Sequence, residues 1–338
     1  MKRTRVVAGM MALGLVAAGI AGEVWGQKAG EKKLPAPIQK AVMFNTPEAD
    51  RILGQMQIFP ADNAWNWDIS YYPVAANSKE MIGTIGPEGK LAWNSDMCFI
   101  IVGPTQKRVG VEITGYPDES DKGPYPVPDE TPTEGWPVFY QGNLEASQRA
   151  TEGDRHAIIV DPWNGLLYEF FVMRRGEKGW QADQASMFNL KTNDLRPQGW
   201  TSADAAGLPI FPAVVRYDEC ERGMVEHALR VTVRRTRASW VYPATHKASR
   251  LTDENLPRMG ERLRLRADFD ITGFSPHAQA ILKGLKVHGM FVADNGGNWR
   301  ISVAPDERIK GLEDLRRVKG SDFEVIDAAR YMAPTKKK

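Results

Sequence analysis

Cysteine is scarce. Cys98 and Cys220 are the two in 338 residues, which excludes a disulfide framework as the source of stability. In an exported chain they can pair, or each can stay a buried thiol. No second long apolar run follows residue 26, so nothing downstream reaches the ~20 residues that span a bilayer. No G-x-x-x-x-G-K-[ST], no G-x-G-x-x-G after a strand and no G-x-S-x-G occurs. Their absence argues against nucleotide enzymes and nucleophile-elbow esterases. Neither H-x-H nor H-E-x-x-H spacing is present, so the sequence supports no metal site and no cofactor. Charge of either sign is not in excess. The chain holds 44 Lys+Arg and 42 Asp+Glu, and without residues 1–26 it holds 41 of each. Lysines gather at the ends, at Lys28, Lys32, Lys33 and Lys40 and again at Lys336, Lys337 and Lys338. A basic face for nucleic acid on the folded body is therefore not indicated.

What is present begins with Lys2, Arg3 and Arg5, then the apolar run Val6 to Ile20, then Ala21, Gly22 and Gly26. This is the layout of a secretory signal peptide cut between Ala21 and Gln27. Residues 1–26 are expected to be that peptide and residues 27–41 a flexible leader. Residues 42–330 are expected to form a single β-rich domain, with 331–338 a basic tail. The mature chain is expected to be exported, periplasmic or extracellular, with no transmembrane segment.

Within the body, short runs rich in Val, Ile, Phe and Tyr alternate with Gly, Pro, Asn and Asp. They predict strands at 97–102, 108–114, 156–161, 166–173, 186–190, 212–217, 225–235, 262–269, 288–293 and 299–303. In the stretch 262–269, Leu263, Leu265, Ala267 and Phe269 interleave with Arg262, Arg264, Arg266 and Asp268. That alternation predicts one inward and one solvated face. Tight hairpins are expected at Asp161 to Gly165 and at Asp294 to Asn298. Two short helices are expected late in the chain: one capped by Ser275 with Pro276 at its start, the other over 306–318. A Pro-dense stretch from Gly115 to Pro137 reads as a long binding loop or linker. The sum predicts a mainly β fold, an antiparallel β-sandwich or jelly roll with two C-terminal helices.

Chemistry-bearing residues fall in several places. The five histidines all lie in the second half. His156, His227 and His246 follow or open apolar runs, and they are expected to face one concavity. Asp218, Glu219 and Glu226, with His227 and His156, are the candidate catalytic groups. Glycoside hydrolysis needs two carboxyls about 5–10 Å apart, which facing strands can supply. Polysaccharide elimination needs a cation and a base, which Arg216, Tyr217 and His227 can supply. Arg216, Tyr217, His246, Asp154, Trp163 and Trp200 are the candidate substrate-binding residues, since aromatic faces stack on sugars. Asp161, Glu169 and Asp204 are further carboxylates of interest. Asp62, Asn66 and Asp68 lack the Gly and Glu of a calcium loop and read as a structural corner.

The segments Gly153-Asp154-Arg155-His156, Thr201 to Pro209 (TSADAAGLP), Arg216-Tyr217-Asp218-Glu219, Glu226 to Arg230, Pro243-Ala244-Thr245-His246 and Ala293 to Gly297 carry a resemblance. Over roughly 55–327 the chain resembles an uncharacterised group of exported bacterial proteins. The resemblance implies export and a single unit, and implies no mechanism. The expected function is a secreted carbohydrate-active enzyme, hydrolase or lyase, acting on a polysaccharide or other extracellular glycan. The alternative is a non-catalytic glycan-binding or envelope-associated protein.

Overall fold

The computed structural model describes residues 33–327. The expected signal peptide, the first part of the leader and the basic tail lie outside the described residues. The strands are β1 (Val42–Met43), β2 (Ala92–Ser95), β3 (Ile100–Ile101), β4 (Val111–Ile113), β5 (Ala157–Asp161), β6 (Leu166–Phe171) and β7 (Arg174–Gly176). They continue with β8 (Gly179–Ala182), β9 (Gln184–Asn189), β10 (Leu229–Val233), β11 (Arg262–Leu265), β12 (Met290–Asn295), β13 (Arg300–Val303) and β14 (Phe323–Val325). The helices are α1 (Pro47–Gly54), α2 (Ser78–Ile85), α3 (Leu144–Arg149), α4 (Tyr217–Arg222) and α5 (Pro276–Val287).

Strand β5 is buried along its whole length, so both of its faces must be covered. Alternation decides by what. Ile158 and Val160 join a core shared with Leu229, Val231 and Ile301. Ala157 and Ile159 join a second core with Tyr168, Phe170, Trp180 and Ala182. The five-stranded sheet β1-β3-β5-β6-β9 thus packs on the six-stranded sheet β14-β11-β12-β10-β13-β2 through one face. Its other face meets the small sheet β4-β8-β7. All described residues fall in one compact unit.

The fold is sheet-rich, but the all-antiparallel expectation needs correction. The pairs β3–β5, β4–β8, β10–β12 and β2–β13 are parallel. Parallel neighbours need crossovers, and helices lie within them: α3, which the sequence pattern did not show, between β3 and β5, and the expected α5 between β10 and β12 with β11. The hairpin at Asp161 to Gly165 forms, joining β5 to β6 with Gly165 at φ +70. The one at Asp294 to Asn298 does not, because β10 lies between β12 and β13. That segment instead crosses the end of β10, where Gly296 N–H donates to Val233 O at 3.0 Å.

Other expectations shift locally. Residues 212–217 hold a 3-10 turn (Phe211–Ala213) and the start of α4, not a strand. Helix α5 starts at Pro276 as expected, with Ser275 in the extended cap conformation. The second late helix shrinks to a 3-10 turn, Leu312–Arg317, because Gly311 at φ +72 stops it. Arg262 and Arg264 alternate with Leu263 and Leu265 but do not face solvent. Segment 64–72 covers them, and their guanidiniums donate to carbonyls of Ala64, Trp67, Ile69 and Tyr72. Cys98 and Cys220 are free and buried. Among the described residues no helix is long and apolar enough to cross a membrane.

Gly284 sits inside α5, where a Cβ would come within 2.5 Å of the Val225 carbonyl oxygen. Alanine ordinarily favours a helix over glycine by about 1 kcal/mol. Gly284→Ala is expected to destabilise nonetheless, by roughly 1–3 kcal/mol from overpacking. A denaturant midpoint equal to or above that of the natural chain would refute this contact.

Candidate functional site

The irregular segment 199–208 shapes the site and is anchored at several points. Asp204 receives a bidentate pair from Arg230 on β10, Nη2 to Oδ1 at 2.6 Å and Nε to Oδ2 at 2.8 Å. Both groups are buried, so each charge is compensated where it sits. Thr201 N–H donates to Glu119 at 2.7 Å, and Arg196 Nε donates to Thr201 O at 2.7 Å. Ala206 O accepts from the backbone N–H of Thr245 and of His246. Gly207 takes φ +73, and a Cβ there would meet Thr245 Oγ1 at 2.0 Å.

Strand β12 carries the remaining anchor. Val231 pairs with Val292, but Thr232 pairs with Asp294, leaving Ala293 as an extra residue. Such a bulge switches the face of every later side chain. It puts Asp294 on the face of Arg230, away from the apolar face of Leu229 and Val231. The carbonyl of Ala293 accepts from Ala206 N–H at 2.9 Å.

Together these segments line a cleft of about 430 Å³. Its walls include Tyr116, Glu119, Asp154, Phe171, Thr201, Ser202, His246 and Asp294. The Pro-dense loop supplies Tyr116 and Glu119. Asp294 is half-buried. Burial first, and the neighbouring Asp204 second, raise its carboxyl to about 7. Ser202 is not a free nucleophile, since its hydroxyl lies 2.7 and 2.6 Å from the Asp204 and Leu208 carbonyls.

His156 lies behind the wall, buried. Its Nδ1 is 2.7 Å from Glu134 Oε2 and its Nε2 is 2.8 Å from Ala203 O. Both partners are acceptors, so both ring nitrogens donate. Burial alone would lower its pKa, but the Glu134 carboxylate lifts it to about 9. His156 is thus an imidazolium that clamps the cleft wall, a positioning group and not a base. Asp96, beside Glu134, is raised to about 6, mainly by burial. Glu169 is raised to about 7 by burial, although it accepts N–H donors from Ile210 and Phe211.

The other predicted residues gather elsewhere. Asp218 and Glu219 sit in the first turn of α4 after Arg216. Arg216 Nη2 donates to Glu219, Arg222 Nη1 donates to Asp218 at 2.7 Å, and His227 Nε2 is 3.0 Å from Glu219 Oε1. Burial would raise the Glu219 carboxyl, but Arg216 and His227 hold it well below its usual range. Apart from the exposed Arg222 this cluster is buried, its acids are paired within it, and none of its members lines the cleft. Tyr217 lies under the Arg308 guanidinium, 4.0 Å from its ring centroid. Glu226 is exposed. Trp163 is half-buried, with Nε1 donating to Pro35 O. Trp200 is half-buried beside Arg196.

Of the three histidines expected to share a concavity, His246 alone lines this cleft. Its Nδ1 is 2.8 Å from Ala205 O. Asp154 lines the cleft as well and is exposed. Asp294 and Glu119 were not singled out in the sequence: Asp294 reads as a turn residue, and Glu119 is one acid in a proline-dense run. Among the described residues no group of three or more His, Cys, Asp or Glu is placed to hold a metal ion. Comparison of the chain with family models, curated proteins and solved structures finds no match.

The His156–Glu134 pair makes a pH prediction. A histidine raised from 6.5 to about 9 contributes stability that is complete below 6.5 and is lost as pH rises through about 9. The shift corresponds to roughly 3 kcal/mol. The advantage of the natural chain over Glu134→Gln in thermal melting is expected to be largest below about 6.5 and to shrink through about 9. An advantage that is flat with pH would show that His156 is not charged in the fold.

Proposed function

We propose that this is an exported carbohydrate-active protein whose site is the Asp294 cleft, with Asp294 as proton donor in glycoside hydrolysis. Export rests on the signal-peptide layout of residues 1–26 and on the resemblance to exported bacterial proteins. The observation that carries the activity is two carboxyls in one cleft with different surroundings. Asp294 is half-buried beside a like charge and keeps its proton up to about 7. Glu119 is oriented by Thr201 N–H at 2.7 Å. Glycoside hydrolysis uses one acid that holds a proton and a second carboxylate that stabilises or attacks. Tyr116 and Phe171 offer aromatic surface in the same cleft. Hydrolysis is preferred to elimination because Arg216 and His227, named for elimination, belong to the ion-paired cluster at α4 and Tyr217 lies under Arg308, so none of them lines the cleft.

The test is incubation of the mature chain with a panel of glycans, reading new reducing ends and the absorbance of unsaturated products. Reducing ends alone are expected, with a rate that falls as pH rises through about 7 because the acid form of Asp294 is lost. Asp294→Asn is expected to cut the rate at least about 100-fold, the usual worth of a general acid, with melting unchanged. Binding without products would favour the non-catalytic glycan-binding reading. Neither binding nor products from any glycan would overturn the proposal.

A further inference from the structure

The polar groups of the cleft are unbalanced in sign, and this narrows what can occupy it. Glu119, Asp154 and Asp294 line it, and no Lys or Arg does. Arg196 is spent on Thr201 O, Glu119 O and Asp121, and Arg230 is buried behind the wall and spent on Asp204 through two hydrogen bonds. Its remaining Nη1 donates to Ser302 Oγ at 2.7 Å. His156 is likewise committed, to Glu134 and Ala203 O. His246, the one basic side chain in the lining, turns Nδ1 to Ala205 O. Ala248 also borders the next hollow, which Lys247 and Arg250 line, so the acidic lining is local to the cleft.

Such a wall repels an anionic sugar and gains nothing special from a neutral one. An ammonium group, in contrast, would meet carboxylate acceptors and aromatic faces, Tyr116 and Phe171. We infer that the ligand of this cleft is an amine-bearing glycan, a hexosamine chain with free amino groups, held by Glu119 and Asp154. The inference rests on the glycan reading above and sharpens its substrate class.

The experiment uses the mature chain and three oligosaccharides of equal length: glucosamine oligomers, the same oligomers fully N-acetylated, and galacturonate oligomers. Affinity is measured by calorimetry at low salt and slightly acid pH. The glucosamine oligomer is expected to bind about tenfold more tightly than its acetylated form, the difference between a charged and a neutral hydrogen bond. Added salt is expected to erode the preference. Asp154 is exposed, so Asp154→Asn is expected to fold normally and to reduce the preference at least about threefold. Equal affinity for the amine and acetylated oligomers, or tightest binding of galacturonate, would overturn the inference while leaving a glycan site in place. Binding of none of the three would overturn the inference too, and together with no binding or products across the glycan panel would remove the glycan reading on which it rests.

Discussion

Buried guanidinium groups fasten the irregular parts of this chain to its sheets. A fold with long segments between short strands has many backbone carbonyls that water cannot reach, and each needs a donor. Arginine supplies up to five donors in a fixed fork. Arg262 spends its donors on the carbonyls of His288, Ala64 and Trp67 and lies 4.5 Å from the Phe291 ring centroid. Arg264 holds Ile69 and Tyr72 and also reaches Glu324. Arg196 ties Thr201 O and Glu119 O to Asp121. Arg230 does the same for Asp204 through its carboxylate. Where the partner is a carboxylate the charge is compensated; where it is a carbonyl it is not. Burial accordingly pushes Arg262 down to about 9.

This pattern separates the two polar clusters of the molecule. The cluster at α4 sets Asp218 and Glu219 against Arg216, Arg222 and His227, so its acids are paired within it. The cleft keeps its cations behind the wall and its carboxyls in front. A buried pair that is complete within itself contributes shape. A carboxyl raised by burial and a like neighbour has a proton to give. That contrast, more than residue type, distinguishes Glu219 from Asp294.

Much of the sheet content was legible in the sequence because apolar β-branched runs bounded by Gly, Pro and Asn have few other uses. Strands β5, β6, β9, β12 and β13 lie close to where the pattern places them. Parallel pairing was not legible, since the runs read alike whichever way they pair. The short helices α3 and α4 were hidden for a different reason. Six-residue helices have too little length to show a period. The arginine face of β11 misled because alternation reports two chemically different sides, not which one meets water. At the site, the segment 201–209 stood out as a motif, yet its role as a wall depends on distant anchors: His156, Arg230 and Ala293. His246 and Asp154 were recognised; Asp294 was not, because its position depends on where a strand gains a residue.

The extra residue at Ala293 also bears on how such a site could arise or vanish. In a regular ladder the carboxyl-bearing fifth position of the strand would point among Leu229 and Val231, where an acid is intolerable. One inserted backbone unit rotates it outward and frees a carbonyl that the neighbouring Ala206 collects. Polarity at this point is therefore written in strand length. A relative of this chain shorter by one residue between Val292 and Asp294 would keep the sheet and the surrounding motifs, and would be expected to carry an apolar residue in place of the acid.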